Sequence, residues 1–319
     1  MNPTVAHCAY RHTTDIDPTV GMHSKEWDGL GNVCVSRATE VLRLDATGYS
    51  KEHRDQISDI FHSMAATNRT IRRILEPGQE SESVDALALA RLQLECLYTL
   101  CLMFEGSQHV DCYVRDYWRK LFVQYLLRRE ETSGLPRFQE SASAPPDGLI
   151  PLGLHFGITQ AQIFTVELEE LNCPLPAGIA EERIPQFPNA AKSISKIPLG
   201  DKRRMLERLY MKYRELCSFA HSTAQANMFK NVFDKRSRQT AFLGDHEKEE
   251  RFQRDILGES YLVSFLSISQ SAAELTVRYP NDVELRCAAM NAWAQLSEAS
   301  LLTKAVWEIR TKKLLGAIS

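Results

Sequence analysis

The chain has 319 residues, of which 44% are hydrophobic and 25% are charged. This mixture is typical of globular proteins, and it excludes a fibrous protein and a wholly disordered chain. The formal net charge of −3 at pH 7 excludes nucleic-acid binding that rests on the field of the whole molecule, so any such binding requires a local basic patch.

The first 30 residues contain polar and turn-forming side chains and no apolar core of signal-peptide length, which predicts a loose leader. Residues 31–319 are predicted to form a single helical domain. The eight cysteines are scattered, without a Cys-x-x-Cys pair or a histidine spacing that suits zinc. They indicate reduced thiols, so we expect a cytoplasmic protein with no metal. No cofactor is expected either, because the sequence has no Walker loop, dinucleotide glycine fingerprint or Gly-x-Ser-x-Gly elbow.

Apolar residues at three- and four-residue spacings predict four helices in the first part of the chain. These helices run over about 32–44, 51–75, 84–104 and 110–129. The third is apolar nearly all round, which predicts a central position among the other helices. Because Arg91, Gln93 and Glu95 interrupt it, we expect it not to span a membrane.

The second part of the chain continues the helical pattern after a loop that its composition predicts at 133–148. A helix is expected at about 158–171, followed by an irregular connection at about 173–200 with room for one short helical turn. A long helix begins near Asp201, and a charged stretch at 234–255 separates it from final helices at about 256–278 and 282–315. With no strand pattern, the predicted fold class is an all-α, multi-helix bundle.

The helix that begins near Asp201 carries the most reactive pair of side chains. Arg214 and His221 are seven residues apart, which is about two helical turns, so both leave the same face roughly 10 Å apart. Histidine can move a proton near neutral pH, and the permanently charged guanidinium can stabilise developing negative charge. This combination suits the cleavage of a phosphodiester.

An arginine, a polar residue and then a histidine on one helix resemble the signature of HEPN domains, which are helical bundles found in bacterial toxins and antiviral defence proteins. Arg214, Glu215 and His221 occupy those places, with Glu215 where Asn, Asp or His is more usual. The resemblance implies a HEPN-like bundle that cleaves RNA without metal, at a composite site formed by two subunits. It also implies a homodimer and an antitoxin or other defence-system partner.

A broader resemblance covers about two thirds of the chain. The runs LARLQLECLYTLCLMFEG, YRELCSFAHST and YPNDVELRCAAMNAWAQLSEASLL are similar to a family of bacterial helical proteins classified only as a domain of unknown function. In that family an arginine and a glutamate lie four apart on a central helix, and Arg91 and Glu95 match them. The resemblance therefore adds Arg91 and Glu95 to the candidate catalytic residues.

Residues around the Arg214 and His221 pair are candidates for binding RNA. Arg208 and Lys212 are basic, and Tyr210 and Ser218 lie on or beside the same helical face. Two basic groups flank the pair and could guide phosphates toward it. Their members are Lys202, Arg203, Arg204, Arg208 and Lys212 before it, and Lys230, Lys235, Arg236 and Arg238 after it.

Each of these features also has a structural interpretation. Arg91 and Glu95 can form an ion pair that fixes the register of two helices, because an unpaired charge on an apolar helix costs several kcal/mol. His221 can cap the carbonyl groups at a helix end. The basic residues can belong to a solvated face that the acidic residues at 245–250 neutralise.

Two functions remain open on this reasoning. The first is a metal-independent endoribonuclease or toxin-like defence component, with His221 as general acid and base, and Arg214, Arg91 and Glu95 in support. The second is a non-catalytic helical module that binds a partner, with the same residues forming a buried network. They differ in where Arg214 and His221 lie, because a nuclease needs both near solvent and a silent module encloses and pairs them.

Overall fold

The structure is a computed structural model, and it describes residues 24–44, 48–74, 83–132, 144–164, 186–220 and 246–316. Every regular element within these ranges is helical, and no strand occurs in them. The prediction of an all-α, multi-helix bundle is therefore confirmed. Its closer likeness to HEPN domains stays a prediction.

The helices are numbered here in chain order. They are α1 Ser24–Arg43, α2 Lys51–Ile74, α3 Ser83–Met103, α4 Ser107–Thr132, α5 Leu149–His155, α6 Gln160–Phe164, α7 Ala190–Lys196, α8 Asp201–Ala220, α9 His246–Leu275, α10 Val283–Leu296, α11 Leu301–Val306 and α12 Lys312–Leu315. A π-helical turn, Trp307–Thr311, joins α11 to α12.

Several helices differ from those that the sequence pattern predicts, and α5 was not predicted at all. Helix α1 begins at Ser24, inside the predicted leader, of which residues 1–23 lie outside the described part. Helix α9 begins at His246 because the Glu, Lys and Arg residues of the charged stretch are good helix formers. The predicted helix at 282–315 is wrong: it breaks at Ser300, whose side chain forms a capping box with Thr303 that starts a new helix.

The chain divides into two compact units. Met1–Glu105 and Asn189–Ser319 form the first unit, and Gly106–Pro188 form the second. The predicted single domain over 31–319 stays a prediction. Within the predicted irregular connection, residues 190–196 form α7, the expected short helical turn. Residues 165–185 lie outside the described part, and they include the end of the helix predicted at 158–171, of which α6 is the described portion.

Helices α9 and α3 form the centre of the first unit. Every residue from Glu259 to Thr276 is buried, and α1, α2, α3 and α10 pack around this part of α9. Helix α3 packs against α2, α7 and α8 as well as α9, so its predicted central position is confirmed. A helix that is surrounded on all sides has no solvent-facing side on which to place its polar residues.

Some polar residues of α9 are paired with side chains of the surrounding helices, while Ser267 and Ser271 donate to carbonyl groups of α9 itself. The Ser264 hydroxyl donates to the Asn68 amide oxygen over 2.7 Å, and the Asn68 amide nitrogen donates to Asp28 over 3.0 Å. Arg72 completes this group with a 2.5 Å ion pair to Asp28. The group joins α9, α2 and α1, and it satisfies groups whose burial would otherwise destabilise the fold.

A second polar group surrounds Glu274, whose side chain has no solvent exposure. Both carboxylate oxygens accept from Arg310, over 2.9 and 3.1 Å. The Lys202 ammonium lies 3.5 Å from the same carboxylate and 2.6 Å from Glu105. Gln270 donates to Glu274 and accepts from a threonine of the π-helical turn. We call these residues the Glu274 network; it joins α9, the π-helical turn, the start of α8 and the end of α3.

The second unit has its own small aromatic core. Trp118, Phe122 and Tyr125 of α4 are buried against apolar residues of α5 and α6. The Trp118 indole donates to the Leu149 carbonyl over 2.7 Å. A Cβ atom at Gly153 would lie 3.1 Å from Ile163 and 3.2 Å from Trp118, so a glycine allows α5 to pack closely here.

Helix α3 is long and apolar enough to cross a membrane by length and composition. The segment Asp85–Met103 has a mean hydropathy of 1.4, although 61% of it is buried inside the protein. The charges within it do not prevent it from meeting that criterion, contrary to the sequence-based expectation. Since the central helix of a globular bundle meets the same criterion, the segment is weak evidence for a membrane span.

Replacing Arg310 by methionine should destabilise the protein by about 3 kcal/mol, because it leaves the buried Glu274 carboxylate with only part of its compensating charge. Urea unfolding followed by circular dichroism measures the change. The control is Lys304→Met, which breaks an exposed pair with Glu298 and should leave the unfolding midpoint unchanged. A loss below about 1 kcal/mol in Arg310→Met would contradict the role given to this network.

Burial raises the pKa of the Cys34 thiol from its ordinary value of 9.0 to about 12. Above pH 9 the unfolded chain releases this proton and the folded chain keeps it, so the stability present below pH 9 is lost as the pH rises toward 12. Cys34→Ala should reduce this loss by about 1 kcal/mol per pH unit between about pH 10 and 12. Unfolding at several pH values tests this, with the exposed Cys287→Ala as control; equal slopes in both variants would count against it.

Candidate functional site

Helix α8 carries most of the candidate residues. Its apolar stripe packs into the core and so determines which of its faces can meet a ligand. Met205, Leu209 and Leu216 are buried, as the spacing of three and four residues predicts. They face α3, α7 and α11 within the first unit. The remaining faces of α8 are half-buried or exposed, and these faces hold the candidate residues.

Arg91 and Glu95 of α3 form an ion pair on the side of that helix that meets α8. The guanidinium lies 3.4 Å from the carboxylate, and the two side chains are 19% and 36% exposed. The partial exposure means that neither charge is fully removed from water. A charge on an apolar helix needs a partner, and this ion pair gives each of the two charges one.

Glu95 also accepts a hydrogen bond from α8. The Tyr213 hydroxyl donates to the carboxylate over 2.7 Å, so one residue links Arg91 to the neighbouring helix. Burial raises the pKa of this hydroxyl, and the hydrogen bond to Glu95 and its charge raise it further. Tyr213 therefore stays protonated at neutral pH and acts as a donor, not as a base.

Three tyrosine rings form an array from the core toward the surface. Tyr98 is buried and meets Tyr213 edge to face, with ring centroids 5.7 Å apart. Tyr213 in turn stacks on Tyr210, with centroids 5.6 Å apart and planes 21° apart. Tyr98 is buried, whereas Tyr213 and Tyr210 are both half-buried.

Arg214 is exposed to solvent on α8. It follows Tyr213 directly, and one residue turns the helix by about 100°, so the inward direction of Tyr213 sends Arg214 outward. Tyr210 lies one turn before Arg214 on a neighbouring part of the surface. Arg208 is exposed as well, but it lies about 120° around the helix axis from Arg214.

Lys212 does not share this exposed position. Its ammonium forms an ion pair with Glu259 and another with Glu215 over 2.8 Å, and its side chain is 15% exposed. Glu259 belongs to α9 and is buried. Lys212 therefore joins α8 to α9 through charges that largely neutralise each other, and its part in binding substrate stays a prediction.

Two candidate side chains lie outside the described part of the structure. His221 lies outside the described residues, and Ser218 lies within α8 but its side chain is outside the described part. The basic group at 230–238 lies outside it too. The structure therefore brings Arg91, Glu95 and Tyr210 near one another through Tyr213, with Arg214 beside Tyr210, and the pairing of Arg214 with His221 stays a prediction.

The basic group before the site is less positive than its sequence indicates. Lys202 belongs to the Glu274 network, Arg203 pairs with Glu207 over 3.0 Å, and Arg204 pairs with Asp201. Arg208 and Arg214 have no ion pair with any residue in the described ranges. The basic charge available to a phosphate on the described part of α8 is therefore concentrated on these two arginines.

Sequence reasoning missed three partners of the candidate residues. Neither Tyr213 nor Glu259 was singled out as a candidate, and Glu274 was not recognised within a mainly apolar helix. The spacing pattern assigns each residue to a face, but it does not show which side chain on another helix lies opposite. The sequence offered one signal: a carboxylate within an apolar helix needs a cation beside it.

Within the described ranges, no group of three or more His, Cys, Asp or Glu side chains is arranged so that it could hold a metal ion. The described residues provide the exposed guanidinium of Arg214, the neighbouring ring of Tyr210, and the hydrogen bond from Tyr213 to Glu95 that holds this part of α8. A guanidinium and an aromatic surface are groups that bind phosphate and a base or another planar molecule.

Comparison of the chain with family models, with curated proteins and with solved structures found no match in any of the three.

Replacing Tyr213 by phenylalanine should cost about 1 kcal/mol, since it removes a hydrogen bond to a partly exposed carboxylate. Glu95→Leu, which removes the acceptor, should cost at least as much, and a double-mutant cycle should show that the two losses are not additive. Urea unfolding gives these energies. Tyr210→Phe is the matched control, because the Tyr210 hydroxyl has no hydrogen bond within the described residues. Additive losses from the two variants would mean that the bond does not link α3 to α8.

Proposed function

We propose that this chain is a metal-independent endoribonuclease that acts as a toxin-like or antiviral defence component, resembling HEPN proteins. The observation that supports this most directly is the exposed position of Arg214 on α8, next to Tyr210. A guanidinium in this position is free to meet a phosphate, whereas a purely structural arginine would be paired inside the fold.

In this proposal His221 is the general acid and base. It removes the proton from a ribose 2′-hydroxyl, whose oxygen attacks the adjacent phosphorus. The bond to the 5′ oxygen breaks, and that oxygen receives a proton, which leaves a 2′,3′-cyclic phosphate and a 5′-hydroxyl. Arg214 stabilises the extra negative charge on the phosphoryl oxygens in the transition state.

Arg91 and Glu95 support this reaction without touching the substrate. Their pairing with Tyr213 fixes the rotation of α8 about its axis, and that rotation sets the direction of Arg214. Arg208, with Lys212 and Ser218, is proposed to bind RNA along the same helix. The proposal includes a homodimer, in which the second copy brings its own arginine and histidine to a composite site, and a defence-system partner that restrains the activity in the cytoplasm.

A second candidate function is a non-catalytic helical module that binds a partner protein or small ligand. The observation that favours it is the pairing of Arg91 with Glu95 and of Lys212 with two carboxylates, which gives these three residues a structural role. In that case Arg214 is an ordinary surface arginine. The two functions predict opposite results when the arginine is removed.

Purified protein should cleave a mixed pool of structured and single-stranded RNAs in EDTA. We expect His221→Ala to lower the rate by about 10²- to 10⁴-fold and Arg214→Ala by about 10²-fold or more. Gel electrophoresis follows the cleavage, and mass spectrometry should find cyclic phosphate ends.

The matched control is Arg69→Ala, which removes an exposed arginine from α2 and should leave the rate unchanged. Circular dichroism and thermal melting establish that each variant is folded. Wild-type protein without cleavage of any RNA, or a folded Arg214→Ala variant with the full rate, would refute the proposed nuclease.

A further inference from the structure

We infer that Tyr210 is a stacking platform for an RNA base, placed so that the substrate of the proposed nuclease is single-stranded RNA. This inference rests on the proposed function and extends it from RNA in general to RNA whose bases are unpaired. It also gives Tyr210 and Arg214 distinct roles: Tyr210 contacts the base and Arg214 contacts the phosphate.

The geometry of the three tyrosines gives the platform its rigidity. One face of the Tyr210 ring is stacked on Tyr213, which contacts the buried ring of Tyr98. Tyr213 is also held by its hydrogen bond to Glu95. An aromatic side chain that is already fixed loses little conformational freedom when a ligand stacks on it, so more of the stacking energy contributes to binding.

The neighbours of Tyr210 are suited to a nucleotide. Tyr210 and Arg214 are four residues apart on α8, so their side chains are adjacent on the helix surface. Neither the Tyr210 hydroxyl nor the Arg214 guanidinium is hydrogen-bonded to another side chain in the described ranges. An aromatic ring and a guanidinium side by side can hold the base and the phosphate of one nucleotide at the same time.

This arrangement favours single strands over duplexes for a steric reason. Each base in a duplex is stacked between its neighbours, so its flat face is not available to a protein side chain. In a single strand the bases can separate and stack on an aromatic residue. Stacking depends little on which base is present, so Tyr210 should recognise the lack of pairing more than the sequence.

Fluorescence anisotropy with the full chain carrying His221→Ala, which prevents cleavage, tests the inference. The probes are a short labelled single-stranded RNA, a fully paired blunt-ended duplex of the same length, and the single strand with abasic sites in place of its bases. Replacing Tyr210 by leucine in this background should weaken binding of the single strand about tenfold or more and leave duplex binding unchanged.

Three comparisons sharpen the test. Tyr210→Phe keeps the ring and should bind within about twofold of the parent. Met211→Ala, which removes an exposed apolar side chain from the same helix, should have no effect. The abasic strand should bind the parent protein as weakly as the normal strand binds the leucine variant, and this comparison needs no change to the protein.

The outcomes separate this inference from the function on which it rests. Single-strand binding that is weakened by Arg214→Ala but unaffected by Tyr210→Leu and by abasic sites would overturn the platform and leave the nuclease proposal standing. The absence of binding to either RNA by the parent protein, together with the absence of cleavage by wild type, would overturn both.

Discussion

The burial of α9 on every side is the constraint on which the rest of the first unit depends. A surrounded helix that still contains serines, a glutamine and glutamates requires a partner for each of those groups. For Ser264, Glu259 and Glu274 the partners come from α2, α8 and the π-helical turn, so these residues help to determine where those elements lie. Apolar packing alone would allow several rotations of the surrounding helices, and these hydrogen bonds and ion pairs select one.

The candidate site is a consequence of that selection. Helix α8 is held at its start by Lys202 and in its middle by Lys212 and Tyr213, which join it to α9 and α3. With the rotation of α8 fixed at three points, the direction of Arg214 is set by its position in the sequence relative to Tyr213. The buried side chains of the site therefore orient α8, and its exposed side chains can contact a ligand.

The sequence was informative about features that depend on local order in the chain. The periods of apolar residues located α2, α3, α4 and α8 closely and placed α3 in the centre, because a helical face is a property of spacing. The break at Ser300 was missed because a capping box is a short polar signal inside a longer apolar pattern. Residues 246–255 were misinterpreted because their charge suggested a connection, although Glu, Lys and Arg favour helices.

The site was less predictable, because its contacts join residues far apart in the sequence. Arg91 and Glu95 were identified as a pair from their spacing, but the link from Glu95 to Tyr213 spans 118 residues. Lys212 was placed among the substrate-binding residues because spacing identifies a charge without showing the carboxylate opposite it. Which groups face one another across two helices is decided by tertiary packing, and no local pattern contains it.

The members of the Glu274 network lie far apart along the chain, and this has a consequence for synthesis on the ribosome. Arg310 follows Glu274 by 36 residues, so the carboxylate leaves the ribosome well before its main partner. Until then the central helix cannot be enclosed without burying a poorly compensated charge, and a nascent chain that ends in between remains open to proteases and chaperones. Completion of the core is therefore tied to translation of the π-helical turn.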